Sequence, residues 1–337
     1  MDVLANILSS TIIFAVPLLL VALGGMFSER SGVINLALEG VMIIGALFSC
    51  LTLKSLNMVG GMEDPIGSFG AQHPILGMFI AILVAALAGM IYSLLLAFAA
   101  INLKADQTIG GTALNMLAPG LAIVITWAIQ GQGNTTVIFP DWIRITKANF
   151  GGSPTVEGLL DTIIFKNLYL TTPVAIIIWI ATIVILYRTK LGLRLRACGE
   201  HPQAADSVGI NVYKMRYIGV VIPGALAGIG GLAFVIAVGS GFSSEVGGYG
   251  FLALAVMIFG NWKPVNILGA SMFFALFKVI SSHTSSIPFL PKFEGITNSG
   301  YIYNMLPYIV TMIVLIITSK NSAAPKAEGI PYDKGQR

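Results

Sequence analysis

The sequence predicts an all-α polytopic membrane protein of about nine to ten transmembrane helices, with broken helices and a faint inverted repeat. Three observations predict it. Mean hydropathy is +0.86. Only 10% of the residues are charged, against 56% hydrophobic. Apolar windows of roughly 20 residues, the length a helix needs to cross ~30 Å of hydrocarbon, recur along the chain. A soluble domain has no interior large enough for that much apolar surface.

The first window, 3–27, follows MDVLANILSS, which lacks a basic secretory n-region, so it reads as a retained first span. Further windows lie at 33–53, 74–101, 106–129, 169–187, 216–238, 249–260 and 265–281, with a last one at 301–318. The 249–260 window is too short to cross alone and reads as a half-helix. Counting it as a crossing gives nine segments and places the termini on opposite sides. The transmembrane region is then 1–320, and 321–337 is a cytoplasmic tail.

Charge orients these spans. The polar island Arg188–Arg216 holds six of the nineteen Lys and Arg residues, and short basic loops stay in the cytoplasm. With the island inside, Arg30, Lys104, Lys263, Lys320, Lys326, Lys334 and Arg337 also fall inside. Lys54, Arg144, Lys147, Lys166 and Lys292 fall outside, and Lys278 lies within a span, placed to snorkel toward the interface. The N-terminus is therefore expected outside and the C-terminus in the cytoplasm. Two loops face outward, 54–73 and 130–168. The second carries Trp142, Arg144 and Gly151-Gly-Ser-Pro154; it is either a surface for an external partner or a solvated connector.

Breakers sit inside several spans: Pro17, Pro119-Gly120 and Pro223-Gly224. A proline removes one backbone hydrogen bond, so these mark either ordinary kinks or discontinuous helices lining a pathway. Leu36-Ala-Leu-Glu-Gly-Val-Met-Ile-Ile-Gly45 matches Leu252-Ala-Leu-Ala-Val-Met-Ile-Phe-Gly260 with one residue gapped. The two run in opposite directions, the mark of an inverted repeat. Gly224-xxx-Gly228 allows close helix approach.

Polar groups in the membrane supply the candidate pathway residues. Asn35 and Glu39 share one face at i, i+4, and Thr108, Thr112 and Asn115 form a second stripe. A carboxylate there costs on the order of 3 kcal/mol to insert, so Glu39 either makes a structural hydrogen bond or lines a path or gate. Threonines can bond their own helix backbone, which leaves Asn115 with most of the weight in its stripe.

Within the island, Gly199-Glu-His-Pro-Gln-Ala-Ala-Asp-Ser-Val-Gly-Ile-Asn211 reads as a turn, a short helix and a stop. Pro202 opens the helix and Gly209 ends it. Such a helix on a cytosolic loop is a docking device, with Gly199, Glu200, Pro202, Ala204, Ala205, Val208 and Gly209 as its candidate residues; the small Ala204 and Ala205 suit a helix pressed into a groove. The bland alternative is a basic anchor. No G-x-x-x-x-G-K-[ST] or H-E-x-x-H occurs, so no nucleotide site, metal site or cofactor is expected. Cys50 and Cys198 fall in different compartments, and neither a disulfide nor zinc is expected. The pI of about 9.0 reflects bilayer edges rather than nucleic acid. An intramembrane enzyme built on Ser240 and His283, or an ion-coupled secondary transporter, are the competing readings.

Gly192–Asn211, followed by Pro223–Gly231, resembles the membrane permeases of bacterial ABC importers in the branched-chain amino acid, ribose and nucleoside branch. Gly32-Val-Ile-Asn-Leu-Ala-Leu-Glu-Gly40 does too, and Phe27–Gly40 is most similar to the shorter permease of nucleoside importers. The resemblance implies about ten helices in a bacterial cell membrane, a second and different permease subunit, a cytoplasmic ABC ATPase seated on the Pro202–Val208 helix, and an extracellular substrate-binding lipoprotein. It implies nucleosides, purines first, as cargo, with branched-chain amino acids or sugars as the alternative. If a tenth helix exists, 74–101 and 106–129 are where it fits.

Overall fold

The computed structural model describes residues 2–58, 67–144, 168–282, 303, 305–318 and 323–335. Among these, all extended regular structure is helical; pairing outside helices is limited to two isolated bridges, Val137 with Phe242 and Arg144 with Tyr169. The helices are α1 (Asp2–Arg30), α2 (Leu38–Met58), the one-turn α3 (Phe69–Gln72), α4 (Pro74–Ala97), α5 (Gln107–Gln130), α6 (Thr171–Arg188), α7 (Lys190–Glu200), α8 (Pro202–Ser207), α9 (Val212–Val238), α10 (Tyr249–Phe259), α11 (Pro264–Ser282) and α12 (Leu306–Thr318). Seven of them are long and apolar enough to span a bilayer: α1, α2, α4 with its extension, α5, α6, α9 and α11. With α10 and α12 they account for the nine apolar windows. Neither candidate window hides a tenth helix. α4 runs on directly through a π-helical turn, Phe98–Asn102, and α5 is continuous.

Starts and stops follow local chemistry. The Asp106 carboxylate accepts from the amides of Thr108 and Ile109 to open α5. Thr189 caps α7 through Gly192 N, and Asn211 caps α9 through Lys214 N. Gly239, at φ 75°, closes α9 in the left-handed conformation that favours glycine.

Of the two readings of the prolines, the discontinuous helix is not the one found. Pro17, Pro119 and Pro223 each lie inside an unbroken helix. Pro17 lies against Gly230 of α9 and Pro223 against Gly24 of α1, and such packing tolerates the missing amide. The breaks fall instead at two non-helical links. The chain leaves α1 at Arg30, runs through 31–37 and begins α2 at Leu38; it leaves α9 at Val238, runs through 239–248 and begins α10 at Tyr249.

These two units run in opposite directions. Ser31 packs by Gly219, Gly24 by Pro223 and Val21 by Gly230, so α1 and α9 are antiparallel. Each is followed by a link that folds back into the bundle and a second helix returning the other way. Ser31, Val33, Asn35 and Ala37 are fully buried, so the first link lies inside the protein rather than on its surface. At 1.5 Å per residue, the eleven residues of α10 cover ~16 Å, about half the hydrocarbon. The weak sequence match between Leu36–Gly45 and Leu252–Gly260 thus falls on the two returning helices.

Glycines set the tightness of the centre. A Cβ on Gly45 would overlap Gly228, one on Gly89 the Gly224 carbonyl, and one on Gly231 the Met42 carbonyl. Backbones of α2, α4 and α9 therefore touch directly, as Gly224-xxx-Gly228 anticipates. The most apolar windows of α1 and α9 are 72% buried in the chain itself, those of α5 and α6 only 28%. The outer faces of α5 and α6 are left for lipid or another subunit.

At one end of the bundle lie Arg30, whose guanidinium donates to the Trp262 carbonyl at 3.2 Å, the α7–α8 island, Lys104 and residues 323–335. The opposite end holds Lys54, donating to Gln130 Oε1 at 2.6 Å, and Trp142, donating to Asn57 Oδ1 at 3.1 Å. Val137 and Phe242 exchange backbone bonds there, and Arg144 Nε donates to the Tyr169 hydroxyl. Of the loop 130–168, expected to face outward, residues 145–167 lie outside the described residues, as do Lys147, Lys166, His283, Lys292, Lys320 and Arg337.

Candidate functional site

Two regions carry the candidate residues. In the bundle interior, Gly247 and Gly248 adopt φ of 59° and 79° and turn the chain so that backbone amides project from the start of α10. Glu39, 9% exposed near the start of α2, receives them: Oε1 accepts from Gly248 N at 2.8 Å and Oε2 from Gly250 N at 2.6 Å. The carboxylate thus caps the half-helix, where free N–H groups and the helix dipole both favour negative charge. Gly250 must be glycine here, since a Cβ would sit 2.5 Å from the Glu39 backbone.

The same link is held from the side of α5. Asn115 Oδ1 accepts from Gly40 N at 2.8 Å, and its Nδ2 donates to the Leu36 carbonyl at 2.6 Å. Asn35 Oδ1 accepts from Ala37 N at 3.1 Å in an Asx turn. Gln107, which sequence reasoning passed over, is 4% exposed and accepts from Ile34 N at 2.7 Å. Asn35, Glu39 and Asn115 therefore meet around the first link, each bonded to backbone. Thr112 does not join them. It is exposed on α5 and donates to its own helix, to Thr108 O at 2.6 Å and Ile109 O at 3.1 Å.

Glu29 and Trp262 form a further pair, joined across more than 230 positions: the buried indole Nε1 donates to Glu29 Oε2. That bond and the Arg30–Trp262 contact fasten the far end of α10 to the end of α1. The half-helix is thereby held at both ends, by Glu39 and by the Glu29–Arg30 corner.

The second region is the island. α8 begins at Pro202 and ends at Ser207, with Gly209 beyond it at φ 83°, close to the expected boundaries. Gly209 N bonds Asp206 O at 2.9 Å and Ile210 N bonds Ala205 O at 3.0 Å, which closes the helix. Gly199 ends against α1, where a Cβ would overlap the Arg30 carbonyl, so the island rests on the bundle without a cushion of side chains.

The expected docking face needs one correction. Ala205 is 3% exposed and packs inward with Cys198, Val212, Met215 and Tyr332; Pro202 is buried too. Helical periodicity on six residues cannot fix which side meets the protein's own core. The face turned outward carries Gln203, Ala204, Ser207 and Val208, the last 75% exposed. Among the described residues no group of His, Cys, Asp and Glu is arranged to hold a metal ion.

The family described as the permease component of branched-chain amino acid transport systems matches residues 7–318. The chain belongs to it. This permease is 42% identical over 337 residues to the guanosine ABC transporter permease protein NupQ of Bacillus subtilis, covering 100% of the chain and 99% of that relative. It is 36% identical to the nucleoside ABC transporter permease protein NupC of Lactococcus lactis, covering 99% of each. It is 28% identical to the putative glucose ABC transporter permease protein TsgC13 of Haloferax volcanii, over 94% of the chain and 92% of that relative. No solved structure matches. Members are transport components rather than enzymes, and membership implies an ATPase, a substrate-binding protein and a second permease as partners.

Proposed function

We propose that this permease forms, with a second and different permease chain, the membrane path of an ATP-driven bacterial importer for nucleosides, purine nucleosides first. The full-length identity of 42% with the guanosine permease carries this reading, against 28% with the putative glucose permease. A cytoplasmic ATPase docks on the outward face of α8, and an extracellular binding lipoprotein delivers solute at the end formed by Gln130 to Arg144 and the Gly239–Gly248 link. The N-terminus faces outward and the C-terminus the cytoplasm. Basic residues support that orientation, because Arg30, Lys104 and Lys263 gather at the end of the island.

In this reading residues 1–320 are the permease domain and 321–337 its cytoplasmic tail. Asn35, Glu39 and Asn115 hold the half-helix at the border of the path, while Thr112 sits on the exposed face of α5 that turns to the second permease. Gly199 seats the island on α1, and Ala204 and Val208 meet the ATPase. Glu200, Pro202, Ala205 and Gly209 shape α8 rather than touch the partner.

Deletion of this chain tests the reading. Uptake of labelled guanosine at low concentration should fail and return on complementation. Unchanged guanosine uptake with lost leucine or glucose uptake would keep the family and remove the nucleoside. Ion-driven uptake by the purified chain alone, without ATP, would replace it by a secondary transporter.

A further inference from the structure

Residues 323–335 lie across the end of the bundle that carries the island, and their contacts are built rather than incidental. Ala323 N donates to Asn261 Oδ1 at 2.8 Å, beside the turn after α10. Ala327 N donates to the Gly199 carbonyl at 2.9 Å, where the island meets α1. The Ala327 carbonyl and Gly329 lie against Gly32 and Ile34 of the first buried link. The Ile330 carbonyl accepts from Arg216 Nη1 at 2.9 Å. Arg216 is 1% exposed, and among the described residues its Nε and Nη2 have no hydrogen-bond partner, so this tail carbonyl is its one acceptor there. Tyr332, 4% exposed, packs with Cys198, Ala205, Val212 and Met215 and stacks edge-on to Tyr213 at 5.3 Å between ring centres. Asp333 closes the series on Lys104 at 2.8 Å.

From this arrangement we infer that the C-terminal segment 323–335 is the strap that transmits movement of α8 to the half-helix. Tyr332 is its positioning residue. Ala205, the inward side of the docking helix, rests on the same cluster as Tyr332. Three to five residues earlier the strap touches Gly32 and Ile34, in the link that leads to Glu39 and the cap of α10. A push on α8 therefore has a continuous packed route to the start of α10 that does not run through α9 alone. Free tails of low apolar content have no reason to bury a tyrosine and to supply the acceptor of a buried guanidinium. The inference rests on the ATPase docking on α8.

The complete complex in vesicles, with guanosine as the solute, tests it. Three quantities are read: ATPase retained on the permease, rate of hydrolysis, and guanosine carried per ATP. Tyr332→Ala should retain the ATPase and lower the solute carried per ATP by about tenfold, within the usual range for coupling between sites. Tyr332→Phe, which keeps the ring against Tyr213, should restore the wild-type ratio. Ala327→Pro removes the amide donor to Gly199, besides fixing the local backbone, and should shift the ratio in the same direction by a smaller amount. A wild-type ratio in Tyr332→Ala would overturn the strap. So would an unassembled Tyr332→Ala together with a wild-type ratio in Ala327→Pro. Val208→Glu reads the underlying docking separately. If that variant keeps its ATPase, the docking reading fails; if it loses the ATPase while the strap variants couple normally, the strap alone fails.

Discussion

Replacing Glu39 probes the cap of the half-helix most directly. Its two oxygens accept from Gly248 N and Gly250 N at 2.8 and 2.6 Å, in a site with 9% exposure. Bonds of this kind, with one charged partner, contribute about 1.5–3 kcal/mol each, and the helix terminus adds up to ~2 kcal/mol in a partly buried site. These gains offset the cost, on the order of 3 kcal/mol, of placing a carboxylate in the membrane. Glu39→Leu removes both acceptors and strands two buried amides, each costing about 1–3 kcal/mol. The sum, ~2–6 kcal/mol, is a large part of a typical folding free energy. Glu39→Gln keeps one acceptor oxygen and turns its NH2 toward the other amide, which halves the damage. The Leu variant should yield little monodisperse protein by fluorescence-detected size exclusion. The Gln variant should assemble, melt several degrees lower and transport at an altered rate. Gly250→Ala should resemble the Leu variant although the carboxylate is intact, because its Cβ meets the Glu39 backbone. A Leu variant with full yield, an unchanged melting curve and full transport would refute the cap.

Asn115→Ala should lose the two bonds to Gly40 and Leu36, about 1–3 kcal/mol together, seen as a lower melting midpoint; Thr112→Ala should leave the melting curve unchanged. Val208→Glu and Ala204→Glu should reach the membrane in normal amount and fail to co-purify with the ATPase, while Ala205→Glu should instead lower the yield of folded protein, because that side chain is turned inward. Burial pushes the Cys198 thiol up to about 11, from a reference of 9.0. Since the thiolate is the reactive form, at pH 8 it should be about a hundredfold scarcer than for a free thiol. Maleimide labelling should therefore be slow in the folded protein, speed up as pH rises toward 11, and become fast on denaturation; rapid labelling of native Cys198 at pH 8 would contradict the packing.

Spans were legible because a long apolar run has one stable outcome in lipid, and nine windows correspond to nine helices. The half-helix was legible from its shortness alone. The positions of the breaks were not, because a proline in a span is compatible with a continuous helix as well as with a discontinuous one. In a tightly packed bundle a proline helix continues, whereas the Gly247-Gly248 pair, with its positive φ, turns the chain. Glu39 and Asn115 stood out by the cost of burying them, but their partners are backbone amides and a carbonyl of distant segments, which carry no sequence signal. Gln107 and Trp262 were missed for the same reason, since either residue type is ordinary at a span end. The docking helix was found by its proline and glycine, yet its outward side depended on Tyr332, more than 100 positions away. The tail itself is short and polar, and nothing in its composition marks it as bound.

The contacts among Gly45, Gly89, Gly224, Gly228 and Gly231 have a mechanical consequence. Where two backbones already touch, no side chain can re-pack to absorb a shift, and sliding by even a fraction of a turn drives a carbonyl into its neighbour. The core of α2, α4 and α9 therefore behaves as one stiff block. Any change of shape between inward- and outward-open states has to be carried at its margins, by the half-helix, the weakly packed α5 and α6, and the seam with the second chain.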